Sequence, residues 1–163
     1  MVRPGGRLGG SYGHYHRHER WHDLSPDWTC TRAQILTFLW RAVGQPEPTI
    51  ANPFTDVTPA NYYYKPALWA YENGMVTGKV FAGETTPCTR ASTVIYLWQY
   101  AGSPKTTPTN AFKDVAANAE YAQAVAWAVA NGITTGTNDG TTFAPDGTCP
   151  RGQIVTFLLR AVK

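Results

Sequence analysis

An all-α fold built from tandem helix–loop–helix units is what this sequence predicts, and three observations carry the prediction. The chain repeats itself internally. Its apolar residues recur at helical spacing. Start and stop signals bracket the periodic stretches. The repetition is read first, because it sets the frame for everything else. Leu24–Val43 (LSPDWTCTRAQILTFLWRAV) aligns without a gap with Phe143–Val162 (FAPDGTCPRGQIVTFLLRAV), and about two-thirds of the positions are identical. Phe54–Gly78 aligns with Phe112–Gly136 at a constant offset of 58. Cys30, Cys88 and Cys149 are each followed two positions later by Arg32, Arg90 and Arg151. One unit therefore reads F-x-D-V, a helix, N-G-x-x-x-G, a turn-rich loop, C-x-R and a second helix. The expected organisation is an atypical head at 1–23, a partial unit with only its second half at 24–46, and full units at 54–103 and 112–163.

The second helix of the first unit starts after Cys30. Thr31 and Gln34 have the spacing of a capping box. Ile35, Phe38, Leu39 and Ala42 fall at i, i+3, i+4 and i+7, and Leu36, Trp40 and Val43 widen the stripe, so burial on more than one side is expected. Gly44 closes it and Pro46 prevents continuation; Gly102 and Pro104 repeat that ending. In the last unit Pro150 stands at the cap, where it suits a first turn but offers no capping oxygen. The first helix is expected at about 60–73 and again at about 117–131, each stopped by Asn-Gly (Asn73-Gly74, Asn131-Gly132). Tyr121, Val125, Ala128 and Val129 share one side of the later copy, whose alanines permit close helix contact. Asn138-Asp139-Gly140 is a turn signal, and the linkers Gln45–Pro53 and Ser103–Asn110 are rich in Pro and Thr.

Composition narrows the function classes. The chain has 163 residues, 43% hydrophobic and 15% charged, with 13% aromatic, which argues against wholesale disorder. No apolar run approaches the ~20 residues of a membrane helix, so no membrane insertion is expected. The net charge of +3 divides into +2 over residues 1–23 and +1 over the rest. A nucleic-acid binder needs a dense basic face, which this distribution does not supply, so no nucleic-acid partner is expected. Met1–Gly10 has a basic start without the apolar core of a secretory signal. On that ground the chain reads as intracellular or as a fragment without its targeting segment. Three Cys cannot all pair in disulfides.

Taken together, Phe54–Val57 and Phe112–Val115, Gly74–Gly78 and Gly132–Gly136, Phe143-Ala144-Pro145, and the helix starts Thr31-Arg32-Ala33-Gln34, Thr89-Arg90-Ala91-Ser92 and Pro150-Arg151-Gly152-Gln153 resemble the S-layer homology family. The resemblance covers about 140 residues. It implies three units in a pseudo-threefold arrangement around a central three-helix bundle. It also implies a bacterial cell-surface location, and noncovalent, non-catalytic anchoring to secondary cell-wall polysaccharide, often bearing pyruvate ketals, through grooves between units. The chain departs from the family pattern where Tyr62-Tyr63 and Glu120-Tyr121 replace the usual Trp, where the motif ends in Gln or Ser rather than Glu, and where the first unit lacks its first half.

On this resemblance the candidate glycan-binding residues are Arg32, Arg90, Arg151, Asp56, Asp114, Tyr63, Tyr121, Gly78 and Gly136. An Arg at a helix start suits a carboxylate, since a planar guanidinium binds it bidentately and the helix end adds free N–H groups. The same arginines also fit a structural role, paired with Asp56 or Asp114 or bonded to loop carbonyls. The two aspartates suit sugar hydroxyls or a helix cap. Tyr63 and Tyr121 suit stacking on a sugar, whereas Trp69 and Trp127 fit the core. Gly78 and Gly136 suit backbone approach to a ligand or simply a turn. The three Cys read as a buried structural slot rather than a metal site, because no fourth ligand recurs with them. All four His lie in the head, with His18 and His22 at i, i+4 (His14 and His16 precede them); a non-native head explains this better than a metal site. No cofactor and no catalytic set is expected. The competing reading is a structural module that assembles through its helices, the incomplete first unit leaving a bundle face for a second chain.

Overall fold

The computed structural model describes residues 27–108 and 111–162. The head at 1–23 with its four His, and Leu24–Pro26 at the start of the partial unit, lie outside the described residues. Five helices follow one another: α1 (Arg32–Ala42), α2 (Tyr64–Glu72), α3 (Arg90–Tyr100), α4 (Ala122–Ala130) and α5 (Arg151–Ala161). Among the described residues β-pairing is confined to isolated bridges, so the fold class is all-α. None of these helices is long and apolar enough to cross a membrane.

Local chemistry explains the helix ends. Thr31 with Gln34, and Thr89 with Ser92, form capping boxes at α1 and α3, while Pro150 provides no side-chain cap for α5. At the other end of α1, Gly44 N–H donates to Arg41 O and Gln45 N–H to Trp40 O, a Schellman closure that requires the positive φ of Gly44 (92°). Gly102 and Ser103 close α3 in the same way. At Asn73 and Asn131 the side-chain amide also donates to Trp69 O and Trp127 O, both at 2.8 Å. The Asn-Gly stop thus ties off two backbone carbonyls that α2 and α4 leave open. The indole N–H of Trp40 donates to Pro46 O and that of Trp98 to Pro104 O, pinning the start of each Pro-rich linker onto its helix.

Three expectations need correction. The first helices are shorter than 60–73 and 117–131, because each begins in a turn. Asn61 Oδ1 accepts from Thr58 N–H and locks a turn before α2, and successive i→i−3 bonds at Ala119 and Ala122 do the same before α4. Ala42 is exposed, not part of the buried stripe: burial on α1 runs instead through Ala33, Ile35, Leu36, Thr37, Leu39 and Trp40. Asp56 and Asp114 cap no helix, as described below.

The packing alternates between segments. The first helix of each full segment lies on the second helix of the preceding one: α2 on α1, and α4 on α3. The second helices α1, α3 and α5 touch one another pairwise. At their N-termini the backbone closes a ring. Cys88 N–H donates to Cys30 O (2.8 Å), Cys149 N–H to Cys88 O (3.0 Å) and Cys30 N–H to Cys149 O (3.5 Å). Isolated bridges Thr29–Pro150, Thr31–Pro87 and Thr89–Thr148 flank it. The three buried Cys side chains occupy equivalent places beside this ring. A Cys fits there as a small hydrophobe with a weak S–H donor; Cys88 Sγ lies 3.2 Å from Thr93 Oγ1.

Candidate functional site

The arginine at each second-helix start reaches into the next segment's loop. Arg32 donates to Phe81 O (2.7 Å), and Arg90 Nε donates to Phe143 O (2.7 Å). The same loops are held from the other side by carboxylates. Asp56 accepts from Phe81 N–H (2.8 Å) and Ala82 N–H (2.7 Å); Asp114 accepts from Phe143 N–H (2.8 Å) and Ala144 N–H (2.7 Å). Ala82 and Ala144 both sit at positive φ (50° and 56°), a conformation disfavoured for residues with a Cβ. Carboxylate and guanidinium grip the backbone on either side of that strained residue. Desolvation pushes both aspartic acids up, but the backbone N–H bonds outweigh it and hold each pKa below the ordinary carboxylate value. Asp56 and Asp114 are loop clamps, then, and the arginine-to-loop-carbonyl alternative describes Arg32 and Arg90.

Two open grooves lie beside these clamps, and they are built from equivalent residues. The first, about 190 Å³, is lined by Arg90, Thr134, Thr135, Gly136 and one face of α5: Gln153, Thr156, Phe157 and Arg160. The second, about 290 Å³, is lined by Arg151, Tyr62, Glu84 and the matching face of α1: Gln34, Thr37, Phe38 and Arg41. Each helix presents Gln, Thr and Arg at i, i+3 and i+7, which places them along one face. Each also offers an aromatic ring to an arginine from another segment. Arg90 Cζ lies 5.5 Å from the Phe157 ring centre, and Arg151 Cζ lies 5.7 Å from that of Phe38. The equivalent face of α3 differs. Ser92, Ile95 and Gln99 replace the polar set, and Tyr96 lies beside Arg32.

The grooves differ in charge. The first gathers two guanidiniums and no carboxylate among its lining residues; the second sets Glu84 against Arg41 and Arg151. Arg90 is only 4% exposed, and burial lowers its pKa, yet an arginine stays charged in proteins. Its NH1 donates to Gln153 Oε1 (2.8 Å), while its NH2, also buried, has no hydrogen-bond partner among the described residues. Burial and the nearby Glu84 push the Tyr62 phenol up, so it enters the second groove as a neutral donor.

Of the residues singled out from sequence, Arg90, Arg151 and Gly136 line these grooves; Arg32, Asp56, Asp114, Tyr63, Tyr121 and Gly78 do not. Tyr63 is buried against Phe81 (5.5 Å between ring centres) and Tyr121 is half-buried against the core, so neither offers a free stacking face. The exposed aromatic is its neighbour Tyr62, 54% accessible. Gly136 is required by packing, since a Cβ there would strike the Phe112 ring and Thr142 O, whereas a Cβ at Gly78 would meet open space. Sequence reasoning missed Gln34, Thr37, Arg41, Gln153, Thr156 and Arg160. The signal was available: Q-x-x-T-F-x-x-R stands unchanged in both near-identical copies, on positions that the core does not require.

No group of three or more His, Cys, Asp or Glu among the described residues is placed to hold a metal ion. Desolvation raises the pKa of Cys30, Cys88 and Cys149, the last to about 11. Alkylation at pH 8 is therefore expected to be at least ~100-fold slower in the native protein than after denaturation, as followed by mass spectrometry, because both access and thiolate are scarce.

Residues 111–155 match the family model for the S-layer homology domain. No curated protein matches the chain.

Proposed function

With residues 111–155 an S-layer homology domain, a kind of module that anchors proteins to bacterial cell walls, we propose that this chain binds secondary cell-wall polysaccharide without catalysis. In this reading 24–46, 54–103 and 112–163 are one partial and two full units in a pseudo-threefold arrangement. The ring of Cys backbone bonds and the pairwise contacts of α1, α3 and α5 support it. The protein acts at the bacterial surface, and the inter-unit grooves hold the glycan.

One observation carries the proposal: the first groove concentrates Arg90 and Arg160 without a lining carboxylate, and Arg90 points an unpaired, buried N–H group at its edge. That is an anion site in a partly desolvated setting, where charge-assisted bonds are strong. A pyruvate ketal supplies a carboxylate on an otherwise neutral sugar. Gln153 and the Thr134–Thr156 hydroxyls then serve the sugar oxygens. The second groove, with Tyr62 and Glu84, takes a neutral sugar face, since Tyr62 offers a stacking surface and Glu84 accepts hydroxyl protons. The α3 face, with Ile95 and Gln99 in place of Thr and Arg, contributes no third site.

The test is co-sedimentation with purified wall polysaccharide, with and without its ketals. Arg160→Gln is expected to weaken binding about tenfold, the worth of one charge-assisted bond. Ketal removal should cost a similar factor, and the two losses should not add. Arg41→Gln should leave the ketal dependence intact. Binding indifferent to the ketals overturns the carboxylate role; absence of binding to any wall polysaccharide overturns the anchor.

A further inference from the structure

The outer face of α5 carries two exposed apolar side chains one turn apart, Val155 (46% accessible) and Leu159 (71%). The equivalent positions on α1 are Leu36 and Trp40, accessible to only 0% and 9%; on α3 they are Val94, buried, and Trp98, half-buried. The difference follows from the packing. All three helices share the central contact, but α1 is additionally covered by α2 and α3 by α4, while among the described helices α5 touches only α1 and α3. The two covering helices are sequence equivalents, each burying a Trp-Ala pair (Trp69-Ala70, Trp127-Ala128) ahead of an Asn-Gly stop. Residues 1–23 contain neither the F-x-D-V start nor the Asn-Gly stop of such a segment.

We propose that the Val155/Leu159 face of α5 is a docking socket for a helical half-unit of the α2/α4 kind, supplied by a second polypeptide. Two copies of this chain paired α5 to α5 would join only two apolar residues from each, far less than a stable dimer buries. A half-unit fits better, because the structure already shows twice what covers this position. It would also extend the internal α1–α2 and α3–α4 interfaces by one more of the same kind, with the small Ala residues allowing close approach. The inference stands apart from glycan binding: neither Val155 nor Leu159 lines a groove.

The probe is a synthetic peptide of residues 112–142, labelled and titrated into the full chain, with binding read by fluorescence anisotropy. The expected result is saturable binding of one peptide per chain, weakened about tenfold or more by Leu159→Glu. That substitution lies on an exposed position and should leave the Tm of the unliganded chain unchanged. Because a free peptide must also pay for its own ordering, a graft serves as the second measurement. A copy of 112–142 replaces residues 1–23 directly before Leu24, in the register set by the gapless alignment. The graft should raise Tm by roughly 4 °C or more, and Leu159→Glu should cancel the rise. Peptide binding that Leu159→Glu leaves unchanged overturns the socket. So does failure of both peptide and graft. A stabilising graft with no peptide binding overturns supply by a second polypeptide.

Discussion

Arg90→Ala is expected to destabilise the fold by about 3 kcal/mol, lowering Tm by roughly 10 °C. Three losses coincide in that change. Phe143 O, in a fully buried residue, loses the Nε–H donor 2.7 Å away. Gln153 Oε1 loses its NH1 donor. The space between the Phe143 and Phe157 rings, whose centres lie 4.9 and 5.5 Å from the guanidinium carbon, is vacated. Arg90→Lys keeps the charge but not the fork, and should recover only part of the loss. Thermal unfolding of the two variants checks both statements. Arg41→Ala serves as the contrast, because its side chain is exposed and its removal should shift stability by no more than about 0.5 kcal/mol. A binding defect in Arg90→Ala would therefore not by itself identify a ligand contact. Arg160, exposed at the same groove, is the cleaner probe.

Asp114→Ala is expected to cost about 2 kcal/mol, because two charge-assisted bonds vanish and Phe143 N–H is left unpaired inside the core. Ala144, at φ 56°, then loses the restraint that offsets its strain. The same contact sets an acid limit. The folded pKa of Asp56 and of Asp114 is depressed, so the stability each confers is fully present above the unfolded carboxylate value of about 3.9 and is lost as pH falls through the folded value. Urea midpoints of the wild type should decline below about pH 4, and those of Asp56→Ala/Asp114→Ala should decline less. A double variant with the wild-type acid slope would show that other carboxylates set the limit.

How the groove residues escaped sequence reading is a matter of what periodicity reports. Apolar spacing marks what a helix buries, so Ile35, Leu39 and Trp40 were evident, as were Trp69 and Trp127 in the core. It says nothing of which polar face another segment will cover. Tyr62 and Tyr63 are adjacent and chemically identical, yet one is 54% exposed and the other packs on Phe81; the turn closed by Asn61 decides which ring points inward. Asp56 could be read as a cap because a helix follows it, but its partners are N–H groups 25 and 26 positions later. Contacts at that separation leave no local signature.

The sequence alone determined the units, their helices, the capping boxes and the Asn-Gly and Gly-Pro stops. These depend on interactions within a few residues, and the repeated copies state each of them more than once. Tertiary structure decided the rest: that each first helix packs on the previous segment's second helix, that Arg32 and Arg90 clamp loops of the segment that follows, and that α1 and α5 present matching grooves while α3 does not. The physical reason is that a helical face has no assigned neighbour until the chain closes around it. The equivalent residues Leu36 and Val155 meet different fates for that reason alone, one buried and the other open to solvent.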